Sequence, residues 1–143
     1  MTLTDQDKIE LSRYRMAKAE SLLKDAEILL KSAAYESSVN RDYYAVLLAT
    51  RALLILRGID PETHEGAKTM LSKEFIKTGL LPKNVGETFR LIQARRVDAD
   101  YGDYIEIDSS EAADSLKRAK EFVREIKKIQ KKSLLIIKNK SIV

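Results

Sequence analysis

The chain has 143 residues with 26 Lys and Arg against 22 Asp and Glu, a net charge of +4, and 44% hydrophobic residues, a composition that suggests one globular domain. It has no Cys, which excludes a disulfide framework and thiolate-based metal or redox chemistry. No apolar run approaches the roughly 20 residues that span a bilayer, and Met1-Thr2-Leu3-Thr4-Asp5 runs straight into charged residues, so no signal peptide and no membrane association are expected and the cytoplasm is the expected compartment.

With only 2 Pro and 5 Gly, the chain favours long helices. Thr4 is expected to cap a first helix, with Asp5 and Asp7 in its first turn. To about Ser32 the apolar residues Ile9, Leu11, Tyr14, Met16, Ala19, Leu22, Leu23, Ala26, Leu29 and Leu30 recur mostly every three or four positions, the helical period. Tyr35-Glu36-Ser37-Ser38 reads as a break with capping residues. A second helix follows to about Arg57. It is apolar round much of its circumference and is expected to be the most buried. Gly58 stops it, and Asp60-Pro61 begins a turn.

A shorter third helix starts at Thr63-His64-Glu65-Gly66, buries Met70, Leu71, Phe75 and Ile76, and ends at Gly79. Pro82 begins a fourth, from Lys83 to about Val97, followed by a loop, DADYGDYIEID. Asp108-Ser109-Ser110-Glu111 has the form of a capping box. The last helix runs to about Leu135, with Ala112, Leu116, Ala119, Phe122, Val123, Ile126 and Ile129 inward, and residues 136–143 form a frayed basic tail. The expected fold is all-α: one domain over residues 1–143, a five-helix, mostly antiparallel up-and-down bundle.

The charge is unevenly spread. From Lys117 to Val143 there are ten basic and two acidic residues; the first 116 residues hold the other sixteen basic and twenty acidic ones. Such a basic end attracts RNA or an acidic protein, or is a solvated face.

Two polar clusters stand out. Asn40-Arg41-Asp42-Tyr43-Tyr44 interrupts the greasy second helix, and an Arg there has to pair with a carboxylate or face a polar cleft. Arg41 and Tyr44 share a face, and Arg51, three turns on, is grouped with them. The second cluster is Arg95-Arg96-Val97-Asp98-Ala99-Asp100-Tyr101. Its charges either pair locally, which contributes little, or direct a guanidinium at an anion. His64, the only histidine, is a cap or surface residue or a proton-transfer group. No metal site is expected, and no Gly-rich phosphate loop, GxSxG elbow or HExxH helix occurs.

NRDYYAVLLATRALL, THEG, KEFIKTGLLP, RRVDADYGD and AADSLKRAKEFVREI, in this order over roughly residues 8 to 130, resemble the HEPN superfamily, and in particular its stand-alone bacterial and archaeal proteins. The resemblance implies a four- to five-helix bundle that dimerises, with a polar site near the dimer interface and no cofactor. It also implies an association with RNA or a nucleotide and with a minimal nucleotidyltransferase partner, in a toxin–antitoxin-type system. It carries over Asn40, Arg41, Tyr44, Arg95, Asp100 and Tyr101; the expected ligand-binding residues are Asn40, Arg41, Tyr44, Arg95, Arg96 and Tyr101, with Arg41 and Arg95 on the phosphate. Many members are metal-independent endoribonucleases with an Arg followed four to six residues later by His. Here position 100 is Asp and no His lies in the window after Arg95 or Arg96. A ribonuclease reading therefore needs Arg95 with a displaced base, Asp100 or His64. A third reading is a structural dimerisation module in which the second helix completes a dimer core. By resemblance to adenylylated toxins, Tyr101 or Tyr104 is the tyrosine a partner transferase would modify.

Overall fold

The computed structural model describes residues 2–103 and 105–142, without the side chains of Ser141 and Ile142. It contains α1 (Asp5–Lys31), α2 (Tyr35–Ile55), α3 (His64–Leu71) running into a π turn at Ser72–Ile76, α4 (Lys83–Tyr101) and α5 (Ser109–Ile142), with no strand among the described residues. The expected all-α, five-helix bundle is the observed architecture.

The ends of the helices follow from local chemistry. Thr4 and Asp7 form a reciprocal capping box on α1, the Asp7 N–H donating to Thr4 Oγ1 at 3.0 Å and the Thr4 N–H to Asp7 Oδ2 at 3.1 Å. The corresponding box on α5 is Glu111 N–H to Asp108 Oδ1 at 2.7 Å. Gly58, at φ 75°, ends α2: its N–H reaches Ile55 O and the Ile59 N–H reaches Leu54 O, the paired bonds of a Schellman motif. The same pair closes α1, from Ala33 to Leu30 O and from Ala34 to Leu29 O, but there an alanine occupies the left-handed position at φ 61°.

Ser12 Oγ of α1 donates to Ala52 O of α2, and Ser38 Oγ of α2 donates to Ala26 O of α1, so rising positions on one helix meet falling positions on the other and the two are antiparallel. Lys120–Glu27, Lys127–Glu20 and Gln130–Ser12 run α5 antiparallel to α1 in the same way. α2 touches α1, α3, α4 and α5. Its residues Val39, Tyr43, Val46, Ala49, Leu53 and Leu54 are fully buried. α2 thus finds most of its cover within one chain, and Asn40, Arg41, Tyr44, Leu48 and Arg51 form its half-buried face.

Three boundaries differ from the sequence expectation. The break lies at Ser32–Ala34, and Tyr35-Glu36-Ser37-Ser38 is already the first turn of α2; Ser38 is spent on Ala26 O of α1 rather than on a cap. α4 runs one turn past Val97 because Arg96 pairs with Asp100 across that turn and Ala99 packs against the small cluster of Val39, Ile107 and Ala112. Where a frayed tail was expected from residue 136, α5 continues to Ile142. Gln130 is buried and Leu134 and Ile137 are half-buried, so the inner stripe keeps its helical spacing past Leu135.

Candidate functional site

Polar residues gather where the middle of α2, the start of α3 and the second half of α4 meet. Thr63 caps α3 by accepting the Gly66 N–H at 2.9 Å, which makes His64 the first helical residue. The ring is half-buried, neither a cap nor a free surface residue. Its Nδ1 lies 2.9 Å from the hydroxyl of Tyr43. Tyr43 is fully buried, and burial raises its pKa above that of an ordinary phenol. With the hydroxyl as donor to Nδ1, the ring proton of neutral His64 sits on Nε2. Burial, then the nearby charges of Arg51 and Arg96, lowers the pKa of His64. The imidazole is therefore neutral at pH 7 and lies beside two guanidinium groups.

Arg96 of α4 stacks its guanidinium 4.7 Å above the Tyr43 ring and 5.9 Å from the Tyr101 ring. Its NH1 bonds Asp100 Oδ2 at 3.4 Å, and its Nε is buried without a hydrogen-bond partner. Arg51 also has a buried, unpartnered Nε, with one bond from NH2 to Pro61 O at 3.4 Å. Unsatisfied buried donors of charged groups are costly. Two of them near one imidazole leave unused capacity for an anion. Tyr44 packs edge-on to Tyr43 and His64, at 5.3 and 6.0 Å between centroids.

Next to this group, Asn40, Arg41, Asp100 and Tyr101 line a shallow cleft with Glu36 and Ser37. Asn40 Nδ2 donates to Asp100 Oδ2 at 3.2 Å and Arg41 NH1 to Asn40 Oδ1 at 2.7 Å. Arg41 thus makes a bond to an amide, not the carboxylate pair considered for it, and leaves charge free at the cleft. Tyr101 is 71% exposed; Tyr104 lies outside the described residues.

Six of the residues singled out in the sequence, Asn40, Arg41, Tyr44, Arg96, Asp100 and Tyr101, therefore fall on one side of the molecule together with His64. Arg95 does not. One residue along a helix is a rotation of about 100°, and Arg95 points instead at α5. There its NH1 bonds Asp114 Oδ2 at 2.8 Å and Ser115 Oγ at 2.9 Å, and Asp114 also takes Arg118 Nε at 2.8 Å. Arg41 and Arg95 do not share a cleft. Tyr43 and Arg51 are the residues whose role was missed or misplaced. The signal was available for Arg51: seven residues from Tyr44, it lies within about 20° of that side chain, whereas it is about 80° from Arg41.

Asp42, beside the site residues in sequence, faces the other way. It is fully buried, with neither carboxylate oxygen hydrogen-bonded. Burial pushes its pKa up to about 8, with Lys120 pulling it back only in part. Among the described residues no group of three or more His, Asp or Glu is placed to hold a metal ion, and no helix is long and apolar enough to cross a membrane.

Comparison with known proteins bears on this arrangement. A family model described as "HEPN domain" matches residues 12–129. A UPF0332 protein of Thermotoga maritima is 32% identical over 86% of this chain and 93% of its own length. A Methanocaldococcus jannaschii protein named "Putative toxin" is 37% identical over 78% of this chain and 76% of its own length. Among solved structures, TT1696 from Thermus thermophilus superimposes with a TM-score of 0.71 at 17% identity, covering 82% of this chain and 97% of that one, a likeness of fold.

Proposed function

This chain belongs to the HEPN domain family, and from that premise we propose that it binds the phosphate of a nucleotide or RNA at the junction of α2, α3 and α4. The observation that carries the reading is the pair of half-buried guanidinium groups, Arg51 and Arg96, each with a buried, unpartnered Nε and both acting on the neutral ring of His64. A phosphate there accepts from both guanidinium groups. Tyr44, Tyr101 and the Asn40–Arg41 cleft offer ring and amide groups to the rest of the ligand. Protein and ligand act within a toxin–antitoxin-type system, with the chain as a homodimer and a minimal nucleotidyltransferase as partner. Support for that context is the family and the relatives named as toxins.

The test separates the two adjacent arginines. Arg96→Ala is expected to weaken binding of a labelled mononucleotide at least tenfold, because it removes the stacked cation. Arg95→Ala is expected to leave binding within twofold while lowering stability by about 1 kcal/mol, the contribution of a partly buried ion pair at the α4–α5 contact. Equal loss in both variants, or loss only with Arg95→Ala, would refute the site.

One observation favours a second reading, metal-independent RNA cleavage. His64 is held neutral, oriented through Nδ1 by Tyr43, and flanked by cations. A neutral imidazole with a free Nε2 position is suited to proton transfer near neutrality, and Arg96 replaces Arg95 as the charge-stabilising group. Cleavage in EDTA that is lost in His64→Gln and kept in Asp100→Asn supports it; no cleavage by folded protein leaves the binding function alone.

A further inference from the structure

A second cavity lies between α3 with its π turn and the first half of α4. It is a groove of about 460 Å³. Its floor is apolar: Ile76 is half-buried there, and Leu71 and Phe89 are fully buried behind the lining. Its rim is cationic: Lys73 and Lys77 on one wall, Lys83 and Arg90 on the other. None of these four is ion-paired among the described residues, and Glu87 is the one carboxylate on the lining.

The groove is built by specific local features. The π turn replaces regular helix at Ser72–Ile76, a change that re-aims side chains and is frequent at functional sites. Gly86 lets α4 close onto that turn, since a Cβ there would stand 3.1 Å from Ile76 Cδ1. The N-terminus of α4 opens on the same groove. Its N-cap is Pro82, which supplies no side-chain cap; the Val85 N–H turns back to Pro82 O at 3.2 Å, and the N–H groups of Lys83 and Asn84 are left to water or ligand.

Lys68 links the groove to the elements that carry the Arg96 site. Lys68, on the lining, bonds Glu65 of α3 and Gln93 of α4, both at 3.0 Å. Glu65 follows His64, and Gln93 is one turn before Arg96. Along α4 the rise from Arg90 to Arg96 is about 9 Å.

We propose that the α3–α4 groove binds single-stranded RNA, with a base against Ile76 on its floor and phosphates along Lys73, Lys77, Lys83 and Arg90, and leads the strand to the Arg96 site. Charge complementarity favours this occupant: unpaired cations on both walls track a polyanion, and an apolar floor accepts the face of any base. The inference rests on the phosphate-binding reading of the Arg96 site and supplies its substrate class, a strand rather than a free nucleotide.

The experiment is fluorescence anisotropy with two probes: a labelled adenosine monophosphate, and a labelled oligouridylate long enough to span groove and site. The triple variant Lys73→Gln, Lys77→Gln, Lys83→Gln changes exposed side chains, and circular dichroism checks that it is folded. It is expected to bind the oligouridylate at least tenfold more weakly. Its slope of log affinity against log salt is expected to be shallower by about 2, about 0.7 for each cation removed. Mononucleotide binding is expected to be unchanged. Unchanged oligouridylate affinity and slope in the triple variant overturn the groove and leave the Arg96 site standing. Loss in the triple variant beside an Arg96→Ala protein that binds mononucleotide normally supports the groove and sinks the site. Displacement of the oligouridylate by polyglutamate as efficiently as by unlabelled oligouridylate of equal length overturns RNA in favour of an acidic polypeptide. A wild-type chain that binds no oligouridylate overturns the proposal outright.

Discussion

Replacing Asp42 by Asn should stabilise the protein, and by an amount that depends on pH. The carboxyl is fully buried with no hydrogen bond to either oxygen, and its pKa rises from 3.8 to about 8. Below pH 3.8 the folded and unfolded chains both hold the proton, and the contribution of Asp42 is at its most favourable. As pH rises from there towards 8, the unfolded chain releases the proton while the folded chain retains it, so stability falls. Above 8 the loss is complete and flat. The loss is about 1.4 kcal/mol per pH unit, which from 3.8 to pH 7 amounts to about 4 kcal/mol. Asn keeps the shape and cannot ionise, so Asp42→Asn should match the wild type near pH 4 and exceed it by about 4 kcal/mol at pH 7. Urea unfolding followed by circular dichroism between about pH 4 and 8 measures this directly. Parallel stability curves for the two proteins would refute the argument, because they would mean that Asp42 is ionised and satisfied in the folded chain.

Other substitutions probe the site and its scaffold. Ala33→Gly, at φ 61°, should raise stability by about 0.5–1 kcal/mol, since glycine adopts the left-handed region without the Cβ clash; an unchanged melting temperature would count against the assigned turn. Gly66→Ala would place a Cβ 2.9 Å from Thr63 Oγ1 and 3.1 Å from Pro61 Cβ. It should cost about 1–2 kcal/mol by spoiling the cap that sets His64, and should weaken mononucleotide binding with it. Because burial and the two arginines lower the pKa of His64 below 6.5, anion affinity should be flat above that pH. It should increase roughly tenfold as the pH falls and the ring gains a charge. Titration calorimetry of wild type and His64→Gln across this range checks it, and an identical pH profile in both would remove His64 from the site.

The helices and most of their ends were legible in the sequence because those signals are local. A three-to-four spacing of apolar residues, Thr4 with Asp7, Asp108 with Glu111, and Gly58 after an apolar run each act within a turn or two. The segments that carry the resemblance, NRDYYA, THEG and the arginine pair, meet in the structure. The boundaries that were misjudged, at Ser32–Ala34, Tyr101 and residue 136, are those held by contacts from elsewhere in the fold: Ser38 to α1, Asn40 to Asp100, and the far end of α5 along its inner stripe.

What only the tertiary structure decided is which of two neighbouring arginines faces Tyr43 and His64. Arg95 and Arg96 are equivalent in sequence, with the same side chain and the same charged surroundings. About 100° of helix rotation separates them, and where α2 and α5 dock on α4 turns that angle into different roles. Arg95 meets Asp114 and Ser115 and ties α4 to α5, while Arg96 meets Tyr43 and approaches His64 and Asp100. The amino-acid order by itself determined the helices, their caps and the polar side chains they carry. Their convergence depends on packing between residues dozens of positions apart, which no local pattern encodes.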